Sequence, residues 1–365
     1  MRHMLRPVTF AELPGWADDD HDAALAAFRL SAQEILSQGS GFSRAVAYGG
    51  LREHWLDVCR AAFEQHPARQ FFETRFRPVQ VEDDARPEGL FTGYYEPEAE
   101  GSLEPGAAFP APLYARPPDL VSFTEEERAT SGLGFGRRVE GRPVAYLTRR
   151  EIEEGALAGQ SLELVWLKDW ADAFFMQIQG SGRVRLAGGR VMRLSYAAKS
   201  GLPYTAIGAI LAERGEIARE QLSMQSIRRW MADHPREARK LMWQNQSFVF
   251  FRELVLDDPA LGALGAQHVQ LTPRRSLAVD RDLWMFGTPI WLDTRVPAGE
   301  EGPMIRFRQL LIAQDTGSAI KGLARGDVYW GFGEEAARLA GPMKSPGAMT
   351  ALLPLGLARE LGLGP

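Results

Sequence analysis

The spacing of apolar side chains along this chain switches from helical to extended and back. In DAALAAFRLSAQEIL, residues 22–36, Leu25, Phe28, Ala32 and Ile35 recur at steps of three and four, which places them on one face of a helix. Residues 50–75 carry a second helical stripe of Trp55, Val58, Ala62 and Phe63, interrupted by Pro67, whose ring blocks the turn before it. The period then shortens. RPEGLFTGYYEPEAEGS reads as short strands and turns, and the Pro/Gly-rich LEPGAAFPAPLYARPPDL predicts a domain crossing near residue 104. Beyond it, LELVWLKD and AFFMQIQGSGRVRLAGGRVMRLSY are runs of strand type. Two helices have legible starts, SMQSIRRWMADHP from Ser223 as N-cap and PREARKLMWQN with Pro235 in its first turn, where the missing amide hydrogen has no helical partner to lose. After NQSFVFFRE the pattern turns strongly to β. HVQLTPRRSLAVDRDLWMFGTPIWLDTRV, MIRFRQLLIAQD and GDVYWGFG are apolar runs broken by Gly, Pro and Asp, and a small closed barrel is the arrangement that leaves them no exposed edge.

Composition narrows the function classes. The chain has 365 residues, 45% of them hydrophobic and 24% charged, enough for two domains with their own cores. A formal charge of −5 without a compact Lys/Arg block is not the footprint of a nucleic-acid binder and suits a neutral or zwitterionic partner. The one cysteine, Cys59, lies in a helical apolar stretch and reads as a small buried residue. The six histidines, at 3, 21, 54, 66, 234 and 268, are scattered, with no pair at a metal-ligand spacing; neither metal nor cofactor is expected. Neither an apolar export core in MRHMLRPVTFAELPGWADDD nor a run of 18 apolar residues is present, so the chain reads as soluble.

The stretch AQDTGSAIKGLARGDVYWG, from Ala313 to Gly331, contains the Asp-Thr-Gly-Ser of aspartic proteases. That mechanism needs two carboxylates about 3 Å apart sharing one proton, and the sequence supplies one copy. The other Asp-Thr, Asp293-Thr294, runs into Arg295, which argues against a protease and leaves it only as a competing class. Asp293, Asp315 and Asp327 each adjoin an apolar strand-like segment, where burial raises a carboxyl pKa and equips it to hold a proton at neutral pH. A single Asp beside Gly is ordinarily a turn or capping residue. Three of them, with Lys321 between two and Tyr329 and Trp330 beside the last, point instead to a site, since aromatic faces are what sugar rings pack against.

GLFTGYYEPEAEGS, MQIQGSGRVRL, NQSFVFFRE, LTPRRSLAVDRDLWMFGTPIWLDT and AQDTGSAIKGLARGDVYWGFGEEA, in order from Phe91 to Ala336, resemble successive blocks of the membrane-bound lytic murein transglycosylase A family. The last also resembles the three-aspartate domain of small cell-wall enzymes. The resemblance implies a mainly β fold with N-terminal helices: a double-psi β-barrel domain interrupted by a second, inserted β domain, with a glycan cleft between them. On this reading residues 1–104 and 245–345 form the helical part and barrel, 105–244 the insert, and 346–365 a C-terminal tail.

It further implies lytic cleavage of peptidoglycan between N-acetylmuramic acid and N-acetylglucosamine, with Asp327 as acid and then base, and with Asp315 and Asp293 holding the groove's hydrogen bonds. The alternative is a non-catalytic, expansin-like glycan-binding protein. Tyr94 and Tyr95 either line the cleft as sugar platforms or alternate on a strand, one of them core. Gln177, Gln179 and Ser181, read as one face of a strand, offer partners to N-acetyl and hydroxyl groups. Lys321 either contacts a muramyl carboxylate or is a solvated turn residue. The implied setting is the periplasm or outer membrane, with peptidoglycan strands as partner, a monomeric state, and cell-wall synthesis or division proteins as further partners; the acylated cysteine of a lipoprotein start is not in this sequence.

Overall fold

The computed structural model describes residues 3–83, 88–255, 258–299, 302–317 and 319–364. The chain divides into two compact units, Met1–Tyr95 with Asp258–Pro365, and Glu96–Asp257.

The first unit opens with β1 (His3–Pro7), α1 (His21–Ser37), α2 (Glu53–Ala61), α3 (Ala68–Arg75), β2 (Phe76–Asp83) and β3 (Gly89–Glu96). The periodic segments of the sequence become α1 to α3, and Pro67 stands at the N-cap of α3. The Asp20 carboxylate caps α1 by accepting from the Ala23 amide at 3.0 Å. Phe28 of α1 meets Phe71, Phe72 and Phe76 at centroid distances of 5.6, 6.2 and 5.8 Å, which fastens the helices onto the start of β2.

The second unit comprises β4 (Glu98–Ser102), β5 (Ala111–Tyr114), β6 (Val121–Ser122), α4 (Glu125–Ser131), β7 (Phe135–Val139), β8 (Arg142–Val144), α5 (Arg149–Glu151), β9 (Glu163–Leu167), α6 (Trp170–Gln179), β10 (Ser181–Arg185), β11 (Val191–Lys199), α7 (Ile207–Glu213), α8 (Met224–Asp233), α9 (Pro235–Met242) and β12 (Val249–Leu254). Its main sheet runs β12-β11-β10-β4-β9-β5. Ala115, directly after β5, bridges to Phe251 of β12, so the two edges of the sheet meet. Val165, Leu167, Val184, Leu194 and Phe251 fill it, and Phe174, Leu211, Trp230 and Leu241 form a second cluster under the helices. Ser223 caps α8, accepting from the Ser226 amide at 3.0 Å, and Pro235 is the first residue of α9.

The chain then completes the first unit with β13 (Ser276–Val279), β14 (Pro289–Pro297), β15 (Met304–Asp315), β16 (Arg325–Phe332), α10 (Gly333–Ala340), β17 (Lys344–Pro354) and α11 (Leu355–Glu360). The order β17-β14-β15-β13-β16-β3, with β3 pairing back onto β17, closes a six-stranded barrel that β2 and β1 extend. One face of this ring is apolar, with Leu277, Val279, Ile290, Leu292, Leu311 and Leu353 fully buried. Closure leaves no strand of the ring with an unpaired edge.

Three expectations are corrected. The crossings fall at Tyr95/Glu96 and Asp257/Asp258 instead of residues 104 and 245, because β4 pairs with β10 and β9, and β12 with β11. Residues 346–365 are no tail: β17 pairs with β14, β2 and β3, and α11 follows. MQIQ lies in α6, a helix that starts on the Asp169 cap and stops at Gly180 in the left-handed region, φ 76°.

Candidate active site

β13 lies between β15, its parallel neighbour, and β16, its antiparallel one. Register therefore decides which side chains share the site. Ala278 is opposite Asp315 on one side and Asp327 on the other, and its methyl group leaves room between them. The pairing with β15 skips a residue between Leu277 and Ala278, as in a bulge, which re-aims side chains. The residue passed over is Gln314. Its amide donates to Ala27 O and Ser31 Oγ at 2.9 Å each, tying the barrel wall to α1 just before Asp315.

Both carboxyls are gripped on one side by β3. The Thr92 hydroxyl donates to Asp327 Oδ1 at 2.7 Å, and Arg325 Nη2 donates to Thr92 Oγ1 at 2.8 Å. Two residues on, and so on the same face, the Tyr94 hydroxyl donates to Asp315 Oδ2 at 2.8 Å. Asp315 Oδ1 accepts from the Ala266 amide at 2.9 Å. The Tyr94 ring meets the buried Tyr329 ring at 5.2 Å. Gly93, between the two gripping residues, leaves space for Trp330: a Cβ there would lie 2.6 Å from the indole Nε1.

Electrostatics follow from this enclosure. Burial pushes the Asp327 carboxyl above the usual range; the Thr92 hydrogen bond and Arg325 pull it back, and neighbouring Asp315 pushes it up again. Burial likewise raises Asp315, against the Ala266 and Thr316 amides and the Tyr94 hydroxyl. Tyr94 itself is pushed well up, by burial first and the Asp315 charge second. A carboxyl that keeps its proton above the ordinary range, beside a second carboxyl on a fixed frame, can act as a general acid and then as a base.

Sequence reasoning passed over Asp280, at the end of β13. Its Oδ2 accepts from the Gly322 amide at 3.0 Å and its Oδ1 from Lys321 Nζ at 3.2 Å, and Thr316 Oγ1 donates to Val279 O at 2.8 Å. These bonds hold the connection from Asp315 to Asp327. The signal was present in SLAVD, an apolar run ending in Asp like those that end in Asp293 and Asp315. Lys321 is thereby placed: it is exposed and ion-paired to Asp280 and to Asp282, at 2.8 Å from the latter, a loop strut.

Asp293 stands apart from Asp315 and Asp327. It pairs with Arg308 at 2.9 Å and lines a cavity of about 820 Å³ with Arg295 and Arg306, a cavity in which neither Asp315 nor Asp327 takes part. Tyr95 points the other way from Tyr94 and packs against the barrel core. In the second unit Gln177 is buried in α6, Gln179 is exposed at its last residue, and Ser181 begins β10. The two glutamines thus occupy different faces of a helix. Among the described residues no group of three or more His, Cys, Asp or Glu could hold a metal ion, and no helix is long and apolar enough to cross a membrane.

A closed six-stranded barrel that carries Asp315 and Asp327 on either side of β13 and Asp280 at its end, and that a second unit interrupts, defines a three-aspartate barrel protein with an insert. Family models agree: the MltA specific insert domain matches residues 90–252 and the 3D domain residues 275–353. A crystal structure of membrane-bound lytic murein transglycosylase from Agrobacterium tumefaciens is 36% identical, with 98% of this chain and 99% of that chain covered and a TM-score of 0.76. MltA from Neisseria gonorrhoeae is 32% identical, with 97% and 92% covered and a TM-score of 0.81. The membrane-bound lytic murein transglycosylase A of Vibrio cholerae serotype O1 is 33% identical over 259 residues, 70% of this chain. That match spans 62% of the length of the Vibrio protein. The chain belongs to the membrane-bound lytic murein transglycosylase A family.

Proposed function

We propose that this protein cleaves the β-1,4 bond between N-acetylmuramic acid and N-acetylglucosamine in peptidoglycan, forming a 1,6-anhydromuramyl end, with Asp327 as the single acid and base. The observation that carries the reading is the Asp327 carboxyl itself: raised by burial, gripped by Thr92, and set opposite Ala278 from Asp315. Protonated Asp327 gives its proton to the glycosidic oxygen as the bond to C1 breaks and N-acetylglucosamine leaves. The carboxylate so formed takes the proton from the muramyl C6 hydroxyl as that oxygen bonds to C1. Proton and electron pair balance without water, so no second carboxylate has to position one, unlike hydrolysis with inversion. Asp315, fixed by the Tyr94 hydroxyl and the Ala266 and Thr316 amides, keeps the groove's polar frame.

The test is digestion of purified murein in ¹⁸O-labelled water. The expected products are anhydromuramyl ends with no label at C1, and Asp327→Asn loses activity by about 10²–10⁴-fold, the usual contribution of general acid catalysis. Labelled reducing ends would mean hydrolysis. Strand binding without any cleavage would mean a non-catalytic glycan binder.

A further inference from the structure

The cavity that holds Asp293 is on the barrel's β14–β15 hairpin, and the cleavage reading gives it no task. Along this hairpin Asp293 is opposite Arg308, and Arg295 is opposite Arg306. Residues two apart on a strand share a face, so both rungs look into the same 820 Å³ space, which Glu82 and Glu88 also line. Two of these charges are already met: Asp293 by Arg308, and Glu82 by Arg6 at 3.0 Å. Arg295 and Arg306 have no ion pair among the described residues, and both are exposed. Like charges directly opposed on an antiparallel pair destabilise the sheet. A ligand anion seated between the two guanidinium groups relieves that repulsion and is bound by it.

The cavity's position says which anion. Its floor is built by Gly89, Ala324, Gly347 and Ala348. Gly89 begins β3 and Ala324 immediately precedes β16, and each strand reaches its part of the active site, Thr92 or Asp327, three residues further on, about 10 Å away at the usual rise of a strand. A muramyl residue with its C1 at Asp327 carries its peptide stem on the C3 lactyl group. Three extended stem residues span about 10 Å.

Resting on the cleavage reading above, we infer that the Arg295–Arg306 rung binds the carboxylates of the muramyl peptide stem, making this cavity a stem-recognition subsite. Glu88, which also lines the cavity, supplies a carboxylate for the ammonium group of a stem that contains a diamino acid.

Two substrates separate this inference from the reading beneath it: murein strands with their stems, and the same strands stripped of peptide by an amidase. The Arg295→Gln/Arg306→Gln double variant should match the wild type on stripped strands. On peptide-bearing strands it should lose about tenfold in kcat/KM, through KM, as expected for a charge-assisted contact. Unchanged activity on both substrates overturns the inference, and so does an equal loss on both. So does a double variant that stops binding vesicles of anionic lipid yet cleaves peptide-bearing strands normally, since the cavity is then a lipid site. A wild type that cleaves neither substrate removes the cleavage reading and this inference with it.

Discussion

Thr92 and Arg325 set how much of the burial penalty at Asp327 is felt. Burial favours the protonated acid, whereas the Thr92 hydroxyl and the Arg325 charge favour the carboxylate. Removing the hydroxyl therefore moves the carboxyl further up. On the proposed mechanism the acid form reacts in the first step, so kcat/KM is expected to fall as pH rises through the Asp327 pKa. Thr92→Val should shift this alkaline limb to higher pH, while Thr92→Ser, which keeps the donor, should leave it in place. A limb that moves to lower pH, or does not move, in the valine variant would show that another group controls the profile. The sequence makes Asp315 and Asp327 visible because Asp315 ends an apolar run before Thr-Gly and Asp327, after Gly326, begins one. Asp293 has the same local pattern and a different setting, since its partner Arg308 comes from across the hairpin. Asp280 was hidden by its charged neighbours Arg281 and Asp282, which make VDRD look like a solvated turn.

At the scale of elements, β3 is the strand whose fit matters most to the site, and Gly93 is where that fit is tightest. A Cβ at this position would meet Trp330 Nε1 at 2.6 Å and Ala340 Cα at 2.9 Å. The indole is buried and the second contact is backbone, so neither yields cheaply. Gly93→Ala should cost about 1–3 kcal/mol, the usual penalty of overpacking. It should also lower turnover at temperatures where the variant is still folded, because Thr92 and Tyr94 flank the displaced residue. An unchanged melting temperature, or full turnover in a destabilised variant, would refute one half of this account. Elements with a local signal were legible: the stripe of α1, the Ser223 cap of α8 and Pro235 of α9. MQIQ was not, since a short apolar run fits a buried helix as well as a strand. The deciding features were the Asp169 cap and the glycine stop at Gly180.

The whole molecule is discontinuous in sequence, and the closed barrel depends on its last strand. β17 pairs with β14, β2 and β3, so the ring stays open until the chain is nearly complete. The sequence showed the change of character before and after the insert, but pairings between β3 and β17 join residues too far apart for any local pattern to display. Each hydrophobic cluster draws its described residues from one unit: the barrel cluster from Val8 to Ala358 outside the insert, and the other three from Ala99 to Phe251 within it. Glu96–Asp257 should therefore fold when expressed alone, with a cooperative thermal transition and dispersed amide resonances. A chain ending at Gly341 should not, because it lacks β17 and exposes edges on β14, β2 and β3, where unpaired strands promote aggregation. An insoluble or non-cooperative 96–257 segment would mean that the insert's clusters are not sufficient cores. A soluble, cooperatively melting chain without β17 would mean that closure of the ring is not what stabilises the barrel.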